Sequence, residues 1–157
     1  MRRNFFEILV IGILGLSGFA IAGVPTSAHK ALTKAIESSV EWSGHVKNEV
    51  AKGTKLDGTH LRNEITNLKY WLEEMNNTYA ALSLRHPYEK DEGHFLAVKK
   101  HQVAASNLLK ELESALDIEA PNYRQMNKLT KRMVKELESA AREHQSELNE
   151  FEAQSAN

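Results

Sequence analysis

Leu61, Ile65, Leu68, Leu72, Met75, Tyr79, Leu82 and His86 follow one another at steps that alternate four and three. That spacing is the a/d seam of an amphipathic helix. The positions between are mainly polar, among them Arg62, Asn63, Glu64, Asn67, Lys69, Glu73, Glu74, Asn76 and Asn77. One narrow face is therefore buried against other helices while the rest meets water. The pattern predicts a helix over about 60–86, capped by Thr59 and stopped by His86 and Pro87, because the residue before a proline avoids the helical region.

Three more segments carry the same kind of signal. A helix over about 27–52 has the seam His29, Leu32, Ile36, Ser39, Ser43, Val46 and Val50. Thr26 or Ser27 can cap it, and Gly53 is a natural stop. Its two mid-seam serines predict a thinner or wetter core, with Val40 and Trp42 turning the buried face to compensate. A helix over about 94–118 has Val98, Ala105 and Leu112 at its centre. Phe95, Gln102, Leu109 and Leu116 lie on one flank, and His94, His101, Leu108 and Ala115 on the other. Pro121 breaks the chain, and Asn122 with Gln125 forms a capping-box start. The last helix, about 122–151, lines up Met126, Thr130, Met133, Leu137, Ala140, His144, Leu148 and Phe151. No strand pattern is present. Four long helices joined by short loops predict an all-α, up-down-up-down antiparallel four-helix bundle, with residues 23–157 as one domain.

Residues 1–22 stand apart from that fold. Arg2 and Arg3 give a basic start, Ile8 to Ala22 is apolar apart from glycines and Ser17, and Ala20 and Ala22 occupy the positions a signal peptidase reads. The segment reads as an export signal cut after Ala22, which places the mature protein in the periplasm or outside the cell. Uncut, Phe5 to Val24 approaches the ~20 residues of a membrane span, so inner-membrane anchoring is the alternative. The paired arginines also resemble the core of a twin-arginine signal. The absence of cysteine excludes disulfides, thiolate metal sites, iron–sulfur clusters and covalent haem attachment. A net charge of −1 gives no global pull towards nucleic acid. The basic stripe Lys128, Lys131, Arg132 and Lys135 reads as a solvated face.

The candidate chemistry lies in the histidines. Reckoning heights from the short loops, His29, His86, His94, His101 and His144 fall within ~10 Å along the bundle axis. Only His45 and His60 lie at the other end. Neutral imidazole binds Zn, Cu, Ni or Fe, and bundles build such sites from facing helices. A haem needs two axial ligands across an apolar slot, and His29 with His144 provides such a pair. This layout is similar to the four-helix b-type cytochromes, which take ligands early in helix 1 and late in helix 4. The resemblance implies haem b at His29 and His144, with His29 where that family has methionine. His86, His94 and His101 are the expected ligands of a bare metal ion. No two of the five are three or four apart on one helix, and no Glu-x-x-His motif supports a di-iron site. No nucleophile elbow, phosphate loop or H-E-x-x-H motif points to an enzyme. The expected function is an exported helical bundle that ligates haem or a transition metal. The competing expectation is a cofactor-free module that binds an envelope protein, soluble or tethered by its N-terminus.

Overall fold

A computed structural model describes residues 27–85 and 93–155 of the chain. Four helices account for nearly all of them: α1 (Ser27–Val50), α2 (Gly58–Arg85), α3 (Gly93–Leu116) and α4 (Tyr123–Ser155). A single 3-10 turn, Gly53–Lys55, lies between α1 and α2, and there is no strand among the described residues. The expected export signal falls outside them, as does His86. Among the described residues no helix is long and apolar enough to cross a membrane.

Cross-links between neighbours show that consecutive helices run antiparallel. Along α2 and α3, Arg62 meets Asp117 at 2.9 Å, Lys69 meets Glu113 at 3.0 Å, and Gln102 reaches the Leu72 carbonyl at 3.4 Å. His94 and His101 of α3 meet Glu143 and Glu136 of α4. α1 packs on both α2 and α4, which closes the ring of four.

The helix ends have local causes. Gly53 has φ +59°, the left-handed backbone that ends α1 and that a side chain disfavours. α2 begins two residues earlier than the seam predicts. Asp57, not Thr59, caps it: its Oδ1 accepts the N–H groups of Thr59 at 2.9 Å and His60 at 3.0 Å. Asn122 caps α4 as its sequence suggests, accepting the Gln125 N–H at 3.1 Å.

The seams form the core. One apolar cluster holds Val46, Val50, Leu61, Leu68, Leu112, Met126 and Met133 at the end of the α1–α2 loop. A second holds Leu32, Ile36, Met75, Leu82, Phe95 and Ala140 towards the other end. Burial of each large side chain contributes roughly 1.5–3 kcal/mol. Ser39 and Ser43 are wholly buried on α1, between the two clusters, and they do not make a wet core. Each hydroxyl donates to its own helix, Ser39 to Ala35 O and Ser43 to Val40 O, both at 2.7 Å. Their polar atoms need no water, and their small size thins the core there.

Candidate functional site

The end of the bundle away from the α1–α2 loop carries the sequence-predicted histidines. His29 on α1 and His144 on α4 are both 2% exposed. Thr33, one turn along from His29, links them. Its hydroxyl donates to the His29 carbonyl at 3.0 Å and lies 2.9 Å from His144 Nε2. With that hydroxyl proton committed, Nε2 of His144 is the donor to the Thr33 oxygen. Nδ1 of His144 faces Glu147 Oε2 at 3.0 Å, a buried pair on one face of α4. Burial pushes the Tyr79 phenol above its ordinary pKa, and the nearby Glu147 carboxylate adds to the shift. Both nitrogens of His144 are thus engaged. Binding of iron or a bare ion there would displace either the Thr33 or the Glu147 contact.

His94 and His101 face α4 through different partners. His94 Nδ1 meets Glu143 at 2.9 Å and its Nε2 meets Glu150 at 3.1 Å, while His101 Nδ1 meets Glu136 at 2.7 Å. The inner pair, His29 and His144, and the outer pair, His94 and His101, do not converge on a three-donor centre among the described residues. The Glu143 hydrogen bond raises the His94 pKa above its ordinary value; partial burial opposes this and Glu150 adds to it. The stabilisation from this ion pair is complete below the unfolded value of about 6.5 and is lost as pH rises through the folded value. Measured by urea denaturation, the wild type should lose stability relative to His94→Gln as pH rises from about 6 to 8.5. The histidine side chain is 34% exposed, so water screens the pair and the difference should stay under ~1 kcal/mol.

The convergent donors lie at the opposite end, where α1 turns into α2. Glu49 near the end of α1 is 3% exposed, and Glu64 in the second turn of α2 is 6% exposed. His60, at the start of α2, places Nε2 3.0 Å from Glu64 Oε1 and 3.8 Å from Glu49 Oε2. One donor atom from each of the three lies within 4.8 Å of the others. His45, one turn before Glu49, places Nδ1 3.8 Å from Glu64 Oε1. A tetrahedral ion with bonds of 2.0–2.1 Å has ligand–ligand edges of ~3.3 Å, so small side-chain movements would close the set.

The surroundings orient the two carboxylates differently. Oε1 of Glu49 accepts the Asp57 backbone N–H at 3.0 Å, which pins the carboxylate to the loop. Its Oε2 pairs with the Lys52 ammonium. The Lys52 hydrogen bond, then the Asp57 amide, hold the Glu49 carboxyl below its ordinary pKa, and the same pairing raises that of Lys52. Oε2 of Glu64 is buried and has no hydrogen-bond partner among the described residues. A buried carboxylate oxygen left in that state is unfavourable unless a cation satisfies it.

The sequence reading set aside both histidines of this cluster. The signal was present as two His-x-x-x-Glu pairs, His45 with Glu49 and His60 with Glu64, one on each side of the α1–α2 loop. Residues four apart share a helix face. Attention to Glu-x-x-His spacing and to the seam positions alone passed over them, since Glu49 and Glu64 sit beside the seams.

The fold and the cluster together define a small all-α four-helix bundle with a carboxylate–imidazole donor set between its first two helices. No family model, curated protein or solved structure matches this chain.

Proposed function

We propose that the protein is an exported four-helix bundle that binds a divalent transition-metal ion at Glu49, His60 and Glu64. The observation that carries this reading is the approach of two nearly buried carboxylates and one imidazole to within 4.8 Å, across two helices. The unpartnered Glu64 Oε2 supports it. Mixed nitrogen and oxygen donors suit Zn²⁺, and three protein ligands leave a position for water or for His45. Ion capture or buffering outside the cytoplasm is the corresponding role, with residues 1–22 as the export signal. Haem held by His29 and His144 ranks below this. Both rings are buried close together, but ligation would replace a contact that His144 already makes.

Calorimetric titration of chelator-treated protein with Zn²⁺ tests the proposal. One equivalent should bind saturably, and the chain should melt at higher temperature when loaded. The Trp42 ring lies 5.1 Å from that of His45, so Co²⁺ or Ni²⁺ at the site should also quench its fluorescence. Heats that never saturate, with no thermal shift, would overturn the reading. The N-terminal residue of protein recovered from the envelope tests export: it should be Gly23.

A further inference from the structure

We propose that Lys52 is a tethered counter-ion, occupying the cation position of the candidate metal centre at Glu49 until a divalent ion expels it, and thereby setting the affinity of the site; this rests on the metal reading above. The same oxygen, Glu49 Oε2, pairs with the Lys52 ammonium and faces His60 Nε2 at 3.8 Å. A metal ion between Glu49 and His60 and the lysine therefore compete for one atom.

Chemistry favours both the occupancy and its reversal. Glu49 and Glu64 bring two carboxylates into a region where each is almost wholly buried. Without a cation, such charges are strongly disfavoured. Lys52 supplies one from the turn directly after α1, on a flexible stem anchored three residues from Glu49. Its side chain remains 53% exposed, while that of Glu49 is 3% exposed. The ammonium reaches in from solvent, so leaving costs it little rehydration. Once displaced it stays near the C-terminus of α1, where the helix dipole favours a positive charge.

Two ligands that exclude one another lower each other's apparent affinity by the same factor. Loss of the lysine charge should raise metal affinity by the factor that its own pairing withholds. It should also weaken the metal-free fold, whose buried carboxylate then lacks its partner.

The test titrates Zn²⁺ into full-length wild type, Lys52→Met and Glu64→Gln by calorimetry, with thermal melts of each metal-free protein. Lys52→Met should bind Zn²⁺ roughly ten-fold tighter than wild type, within the ~5–150-fold range of common coupling effects. Its metal-free melting temperature should fall. Lys52→Gln, which keeps a polar head without charge, should behave alike and guards against an effect of the methionine alone. Binding to Lys52→Met where the wild type binds too weakly to measure also supports the proposal. If the wild type binds one Zn²⁺, Glu64→Gln abolishes it and both Lys52 variants bind no tighter, the counter-ion role is overturned while the metal centre stands. If neither the wild type nor the Lys52 variants bind, the metal reading itself is overturned.

Discussion

Glu64→Gln is expected to weaken Zn²⁺ binding by more than ~100-fold while the helices remain folded. Glutamine keeps the volume and shape of the side chain but removes its charge and one anionic oxygen. Hydrogen-bond partners that merely orient a metal ligand are commonly worth ~10–100-fold in affinity, so loss of a ligating carboxylate should exceed that. Glu64 is a cleaner probe than Glu49. The Glu49 carboxylate also accepts the Asp57 N–H at 3.0 Å and pairs with Lys52, so changing it disturbs the α1–α2 loop as well as the donor set. Oε2 of Glu64 makes no hydrogen bond among the described residues. Calorimetry reads the affinity and far-ultraviolet circular dichroism reads the fold. Glu73→Gln on the exposed face of α2 is the control and should bind Zn²⁺ as the wild type does. Unchanged affinity in Glu64→Gln would move the ion elsewhere.

His144→Ala should destabilise the bundle by about 3–5 kcal/mol, the usual result of removing one partner from a buried ion pair. For a domain of this size that lowers the melting temperature by roughly 10–20 °C. The side chains of His144 and Glu147 are each 3% exposed, and they meet at 3.0 Å inside the fold. Alanine leaves the Glu147 carboxylate facing a cavity with neither a cation nor water to hold it. Thr33 also loses the Nε2–H that its oxygen accepts. The loss should therefore shrink when both partners are replaced together. His144→Leu with Glu147→Leu fills the space with apolar groups, and such swaps of buried pairs are often neutral or stabilising. Urea denaturation of the two single variants and the double variant isolates the coupling. A loss below ~1 kcal/mol in His144→Ala would show that the pair is solvated.

Repeating four-and-three steps dictated the four helices and most of the residues that face inward. His29, Leu32, Ile36, Ser39, Ser43, Val46 and Val50 of the α1 seam are all buried, as are Met126, Thr130, Met133, Leu137, Ala140 and His144 on α4. This much is legible because the hydrophobic effect acts position by position, and helical periodicity turns sequence spacing directly into a face. The α4 cap at Asn122 was legible for a similar reason, being a contact within one turn. The α2 cap was misplaced by two residues because Thr59 and Asp57 are both competent N-caps, and the turn leaving Gly53 selected Asp57.

Only the tertiary structure decided which polar residues beside the seams would be enclosed and what they would meet. Glu49, Glu64 and Glu147 each occupy the shoulder of an apolar stripe, where a small rotation of the helix separates solvent from interior. Loop geometry and side-chain packing between neighbouring helices set that rotation and the axial offset. They turned His94 and His101 outward to the carboxylates of α4, and they brought Glu49, His60 and Glu64 together at the far end. A pattern along one helix specifies the face it buries. Convergence of donors from two helices is a property of their mutual placement, which no single helix encodes.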